Sequence, residues 1–302
     1  MRILVTGSNG LLGQKLTKLF STEKEVYLIA TARRKSVLPI TNGEFHSLDV
    51  CDRDAVVNLI EQTSPDFVIH TAAMTNVDQC ETDREGCWRA NVHAVSNVID
   101  GCEKVNAHLI HVSTDFIFDG SHGPLDETAA PGPVNYYGES KLAAEELVSK
   151  SRIQWAILRT VLVYGITRDM SRSNIVLWVK NSLEQGKSIQ VVNDQFRTPT
   201  LAEDLATGCY LAARSKATGI YNISGKDFLS PFDIAIHTAR FFDLDESLIN
   251  KTDSTQFRQP AKRPLITGFI IDKARKDLGY EPHSFIDGIR IISEQVASPD
   301  LA

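Results

Sequence analysis

Met1-Arg2-Ile3-Leu4-Val5-Thr6-Gly7-Ser8-Asn9-Gly10-Leu11-Leu12-Gly13 opens the chain. An apolar, β-branched run enters a strand at once, glycines follow at G-x-x-G-x-x-G spacing, and an apolar helical pattern begins with the last of them. Missing side chains let the backbone turn tightly, approach a pyrophosphate and pack helix on strand. The helix N-terminus then offers free N–H groups and the positive end of its dipole to phosphates. The spacing is one residue wider than the usual dinucleotide fingerprint, and any strand-to-helix turn can use a glycine or two. The strand–helix context is what points to a nucleotide, with Gly7, Asn9, Gly10, Leu11, Leu12 and Gly13 as candidate cofactor contacts.

Outward from this stretch, short β-branched runs alternate with amphipathic ones. Strands are expected at Ile3–Val5, Val26–Thr31, Glu44–Leu48, Phe67–Thr71, Leu109–Val112 and Trp155–Leu158. Helices are expected near Leu12–Phe20, Arg53–Gln62, Glu85–Val105 and Tyr137–Val148. This alternation predicts an α/β protein built on a Rossmann-type, doubly wound parallel sheet. The segment Asp115–Asn135, rich in Gly and Pro, reads as a loop crossing the surface where ligands of such sheets bind. After Gly165 the pattern loosens. Helices are expected near Asn174–Glu184, Ala202–Ala213, Pro231–Phe242 and Ser284–Val296, and a strand near Gln190–Val192. The run Ile220–Ile223 is a candidate to return to the main sheet. The expected division is a dinucleotide-binding domain over 1–164, taking in part of 201–226, and a smaller, discontinuous C-terminal substrate domain over 165–302.

The second strand ends in Thr31-Ala32-Arg33-Arg34-Lys35. An acidic residue there would bond an adenosine ribose hydroxyl, as NAD requires. Arg33 and Arg34 instead suit a 2′-phosphate, which favours NADPH over NADH, although a solvated basic loop has the same composition. Asp49 and Val50 close the third strand and are candidates to contact the adenine, Asp49 equally a candidate N-cap for the helix at Arg53. Ala72 and Ala73, just after the fourth strand, complete the candidate cofactor contacts.

The chemistry is suggested further on. Tyr137 and Lys141 are four residues apart and share one helix face, whereas Tyr136 has no such partner and reads as packing. A phenol titrates near ~10, and a nearby ammonium lowers that value. Ser113-Thr114-Asp115 ends the fifth strand, 23 residues before Tyr137, so the intervening loop has room to double back. In this reading Thr114 holds a substrate carbonyl, Tyr137 protonates it, and Lys141 binds the nicotinamide ribose and holds the phenol pKa down.

Bulk composition limits the alternatives. The 302 residues carry 42% hydrophobic and 23% charged residues and a net charge of −6, with no polybasic run, so nucleic acid is not an expected partner. No apolar run approaches the ~18 residues of a membrane span, and the chain enters a strand with no room for a signal peptide. Five cysteines without a C-x-x-C pair read as reduced thiols, and the compartment as cytoplasm.

These motifs resemble those of extended short-chain dehydrogenase/reductases. Within that superfamily the chain is most similar to dTDP-4-dehydrorhamnose reductases, over nearly its whole length. The matching stretches are Gly7–Gly13, Asn76-Val77-Asp78, Ser113-Thr114-Asp115, Tyr137-Gly138-Glu139-Ser140-Lys141, Val192-Asn193-Asp194-Gln195, Pro199-Thr200 and Arg263-Pro264. The resemblance implies reduction of the 4-keto group of a nucleotide-linked deoxysugar by NADPH, with Thr114, Tyr137 and Lys141 catalytic and Ser113, Thr114, Asp115 and Phe116 against the substrate. It extends to a homodimer as a candidate assembly.

Three departures bear on the sugar: Phe116 replaces a common tyrosine, Leu162 stands where a tryptophan is common, and Arg197 replaces glycine. Arg197, seven residues before Asp204-Leu205-Ala206, resembles an arginine of other nucleotide-sugar enzymes that contacts the phosphates. Arg263 sits similarly, and two guanidiniums together would clamp a diphosphate. The chain also resembles the regulatory β subunits of methionine adenosyltransferases, which bind NADP and a partner enzyme. A sugar-nucleotide epimerase or dehydratase is a third reading, disfavoured by Arg33-Arg34 and by Phe116.

Overall fold

The structure is a computed structural model that describes residues 1–168, 174–257 and 259–298; of the expected substrate domain, residues 169–173, 258 and 299–302 lie outside the described residues. Its strands are β1 (Arg2–Thr6), β2 (Tyr27–Ala32), β3 (Gly43–Ser47), β4 (Phe67–His70), β5 (His108–Thr114), β6 (Trp155–Thr160), β7 (Val163–Tyr164), β8 (Ile189–Val192), β9 (Thr200–Leu201), β10 (Gly219–Asn222) and β11 (Ile249–Thr252). Its helices are α1 (Leu11–Thr22), α2 (Arg53–Thr63), α3 (Val77–Thr82), α4 (Arg84–Trp88), α5 (Ala94–Val105), α6 (Tyr136–Lys150), α7 (Ile175–Glu184), α8 (Ala202–Arg214), α9 (Pro231–Phe241), α10 (Asp272–Leu278) and α11 (Phe285–Ala297).

Seven strands form one parallel sheet in the order β10-β6-β5-β4-β1-β2-β3. Residues of β1 alternate between two cores, which is why the run reads as continuously apolar. Ile3 and Val5 pack with Leu16 and Phe20 of α1 and with Leu205 of α8. Leu4 packs on the other side with Val56 and Ile60 of α2, Val98 of α5 and Ala144 of α6. Burying each large aliphatic side chain stabilises the fold by about 1.5–3 kcal/mol. Successive strands are added outward on one side from β1 to β3 and on the other from β4, and this switch between β1 and β4 places a ligand crevice beyond the carboxyl ends of those two strands.

Beyond β6 the chain builds further apolar clusters. One joins Val176 of α7, Ile234 of α9 and Ile289 of α11, and another joins α7, β8, α9 and β11 through Val179, Val191, Ala235 and Ile249. The run expected to return to the main sheet does so: β10 pairs in parallel with β6, Tyr221 beside Leu158.

Some local expectations change. The single helix expected over Glu85–Val105 is divided into α4, a π turn at Arg89–His93 and α5. α3, α10 and β11 were not expected; they are short, and their sequences lack a resolvable period. The segment Asp115–Asn135 does not merely cross the surface. Ile117, Phe118 and Leu125 are buried with Val161 and Phe269, and Leu125 pairs by backbone with Gly268 and Ile270.

Candidate active site

Gly7 stands at the end of β1 with φ +72, and a Cβ there would meet Thr71 Oγ1 at 3.0 Å and the Ala72 backbone at 3.1 Å. Glycine is needed on both counts. Gly13 lies over the same turn, where a Cβ would stand 2.2 Å from the Gly7 carbonyl oxygen. Gly10 is the N-cap of α1 and supplies no side-chain cap, so the first turn of the helix keeps N–H groups for an anion. A cradle closed to any larger side chain, ending on an uncapped helix, fits a dinucleotide pyrophosphate. Asn9 does not aim its side chain at that cradle: its amide bonds the backbone of the basic loop at Arg34, Lys35 and Val37.

Arg33 and Arg34 are exposed just past the end of β2. Ala72 and Ala73 follow β4, and the Ala72 amide donates to Thr6 Oγ1 at 3.3 Å. Asp49 is exposed, its Oδ1 accepting from the Cys51 amide at 3.0 Å. It is not the N-cap of α2; Asp52 takes that place, accepting from the Ala55 amide at 3.1 Å. Val50 presents its carbonyl to Asn97 Nδ2 at 3.0 Å.

At the end of β5, Thr114 Oγ1 accepts from the Phe116 amide at 3.2 Å and donates to Asp115 Oδ1 at 3.1 Å. The α6 helix brings its own N-terminus to this turn. Asn135 caps it, accepting from the Gly138 amide at 2.8 Å, and Gly138 permits the approach because a Cβ would lie 2.1 Å from the Phe116 carbonyl oxygen. The second residue of α6 is therefore Tyr137, buried, edge-on to the Phe116 ring with centroids 5.6 Å apart and near the Thr114 hydroxyl. One turn later, buried Lys141 Nζ donates to the Val112 carbonyl at 2.8 Å and to His111 Nε2 at 3.3 Å. The structure thus gathers Ser113, Thr114, Asp115, Phe116, Tyr137 and Lys141 beside the glycine turn. Tyr136 is packing, as expected: its ring lies 6.0 Å from that of Trp88 and beneath the Arg84 guanidinium.

The electrostatics differ from the expected tuning. Burial pushes the Tyr137 phenol above its ordinary value; the Thr114 hydrogen bond only partly offsets this, and Asp115 adds to the rise. Burial also lowers Lys141 to about 8, against the opposing charge of Glu145. Lys141 does not hold the phenol down in this arrangement, because its ammonium is turned to Val112 and His111. At neutral pH the site holds a protonated phenol, the form a proton donor requires, and a largely charged amine.

The expected diphosphate clamp of Arg197 and Arg263 is corrected. Arg197 is buried; its Nε lies 3.2 Å from Asp115 Oδ2, and its other nitrogens bond the carbonyls of Phe196, Pro264 and Leu265. A guanidinium so enclosed has no face left for a phosphate. Arg263 is half-buried and holds Asp78 with two bonds of 2.6 and 2.7 Å. The two arginines therefore do not form a free pair. Arg263 does border a cavity of about 230 Å³ with Trp178, Val192, Gln195, Ser254 and Phe257.

Several residues that build the site could not be picked out from the sequence pattern. Asn91, in the π turn, accepts from the Met74 amide at 2.8 Å and donates to Ser140 Oγ at 3.0 Å, tying the segment after β4 to α6. Asp115 Oδ2 accepts from Thr267 Oγ1 at 2.5 Å. His70 and His111 stack at 5.7 Å. Thr6 Oγ1 already accepts from the Thr71 and Ala72 amides, so its proton goes to His70 Nδ1 at 2.9 Å. A line of buried side chains thus joins the glycine turn to Lys141. A histidine in each of two adjacent strand runs was the available sign, but strand histidines rarely differ in pattern from core residues. Among the described residues no cluster is placed to hold a metal ion, and no helix is long and apolar enough to cross a membrane.

A nucleotide cradle at the sheet's switch point beside a Thr–Tyr–Lys constellation defines a Rossmann-type protein with the side-chain set of a reductase. A family model for the RmlD substrate binding domain matches residues 1–297, and the chain belongs to that family, within the extended short-chain dehydrogenase/reductases. It is 30% identical over 281 residues to a probable low-salt glycan biosynthesis reductase, Agl14, of Haloferax volcanii, covering 92% of this chain and 93% of the relative. It is 32% identical over 251 residues to methionine adenosyltransferase 2 subunit beta of Xenopus laevis, covering 82% of this chain and 73% of the relative. The structure of a dTDP-4-dehydrorhamnose reductase of Bacillus anthracis in complex with NADP superposes with a TM-score of 0.83 at 25% identity, over 97% of this chain and 99% of that one.

Proposed function

We propose that the protein is an NADPH-dependent reductase of a nucleotide-linked 4-keto-deoxysugar, with dTDP-4-dehydrorhamnose as the foremost candidate. The observation that carries this reading is the convergence of Thr114, Tyr137 and Lys141 at the end of β5, beside a turn that only glycine fits. Family membership and a structural relative that holds NADP support it. When bound, the nicotinamide supplies a hydride to the carbonyl carbon. Thr114 orients the carbonyl oxygen, and Tyr137 donates its proton to that oxygen as the C–H bond forms, leaving an alcohol. Lys141, its ammonium turned to Val112 and His111, is assigned the nicotinamide ribose, and bulk water restores the proton of Tyr137. The exposed Arg33 and Arg34 suit the 2′-phosphate. The nucleotide end of the substrate is assigned to the cavity at Arg263, whose Trp178 and Phe257 rings offer a stacking surface on the 165–302 side of the molecule.

The test is NADPH oxidation by the purified protein with enzymatically generated dTDP-4-dehydrorhamnose, beside a Tyr137→Phe variant. The expected result is turnover that falls by about 10²–10⁴ in the variant. Turnover that survives the substitution would remove Tyr137 from the reaction.

A second reading, an NADP-binding regulatory subunit, draws on the identity to the methionine adenosyltransferase β subunit. Tight NADPH binding without turnover of any keto-sugar, together with co-purification of a catalytic partner, would favour it.

A further inference from the structure

The basic loop after β2 carries the cofactor selectivity proposed above, yet its charged side chains are exposed and cannot hold themselves in place. Three hydrogen bonds from one residue of the glycine turn do so. Asn9 Nδ2 donates to the carbonyls of Arg34 at 3.3 Å and Lys35 at 2.9 Å, and Asn9 Oδ1 accepts from the Val37 amide at 3.2 Å. An amide is the one neutral side chain able to donate twice and accept through its second atom at the same point. Asn9 is itself braced from below: buried Gln14 donates to the Asn9 carbonyl at 2.9 Å. Gln14 is fixed in turn by Arg168, whose amide reaches Gln14 Oε1 at 3.0 Å and whose carbonyl accepts from Nε2 at 3.2 Å. On the loop's other flank its first residue is tied to a neighbouring strand by Ser47 Oγ, which donates to the Arg33 carbonyl at 3.3 Å.

We propose that Asn9 is a positioning residue for cofactor selectivity: it fastens the Arg33–Val37 backbone to the pyrophosphate turn, so that the guanidiniums are held at the distance a 2′-phosphate requires. This rests on the NADPH reading. An untethered loop must be ordered when the phosphate binds, at a cost in conformational entropy that a cofactor lacking the 2′-phosphate does not incur. The side chain makes no bond into the cradle itself, so contacts shared by NADPH and NADH are left in place.

The experiment measures equilibrium binding of NADPH and of NADH by fluorescence, and tryptic cleavage after Arg33, Arg34 and Lys35 without cofactor, in the full-length protein and in Asn9→Ala. An Arg33→Ala/Arg34→Ala variant serves as reference. The expected result is NADPH affinity weakened by about tenfold, NADH affinity changed by less than about threefold, and faster cleavage of the loop. Retained NADH binding also reports that the variant is folded. Equal weakening of both cofactors would overturn the proposal, since Asn9 would then act on the shared pyrophosphate. Unchanged binding and unchanged cleavage would overturn it as well. A wild-type protein that binds NADH as tightly as NADPH, and is indifferent to the double arginine variant, would instead remove the NADPH reading beneath it.

Discussion

Asp115 and Arg197 meet in a space where neither reaches water, and that decides what each can do. Burial raises the Asp115 carboxyl, while the Arg197 guanidinium and the hydroxyls of Thr267 and Thr114 draw it back toward ionisation. Removing one member leaves the other charged and uncompensated, which costs about 3–5 kcal/mol. Arg197→Leu is therefore expected to lower the thermal midpoint sharply, and Arg197→Leu/Asp115→Asn to recover part of the loss. If Arg197 were a phosphate ligand, the single variant would melt like the parent and lose only substrate affinity. The contrast also marks what residues reveal in a sequence. The gathering of Thr114, Tyr137 and Lys141 was legible because residue type and helical spacing are local. Arg197 was misread because its role depends on burial by Pro264 and Leu265, far along the chain. Asn91 left no sign for the same reason.

The elements that carry the site were legible where they are long and periodic. β1, α1, β5 and α6 fall within a few residues of expectation, and the glycine turn between β1 and α1 was read directly. Short elements were not, since α3 and α10 span 6 and 7 residues and owe their existence to caps and tertiary contacts. The break of α4–α5 at a π turn is a tertiary effect as well, as that turn carries Asn91, the residue spanning Met74 and Ser140; π bulges often mark such places. The packing of α1 on its turn offers a test. A Cβ on Gly13 meets backbone at Gly7 and Ser8, at 2.2 and 2.6 Å, and neither can rotate away. Gly13→Ala should destabilise the fold by about 1–3 kcal/mol, as overpacking does, and weaken NADPH and NADH alike in titrations. Equal binding and an unchanged urea midpoint would show that α1 slides without consequence.

For the molecule as a whole, the buried histidines set a limit on acid tolerance. Burial, with the Lys141 charge behind it, pushes His70 down to about 3 and His111 well below its ordinary value. Both are neutral in the fold. The unfolded chain takes up a proton on each as pH falls through about 6.5, and the folded chain does not. Stability is thus complete above that pH and declines below it, by at most about 1.4 kcal/mol per pH unit for each histidine. Urea midpoints at pH 7.5 and 5.5 should differ accordingly, and the difference should shrink in His70→Gln; equal slopes in the two proteins would exonerate His70. The seven-stranded sheet has a further consequence through its last strand. Between Thr160 and Gly219, which end β6 and begin β10, lie 58 residues. A ribosome adding residues at ordinary speed needs about 3–12 seconds to deliver that stretch. Throughout that interval the nascent protein presents a bare, apolar β6 rim to its neighbours on the same message, and only the arrival of Ile220 and Tyr221 retires that hazard.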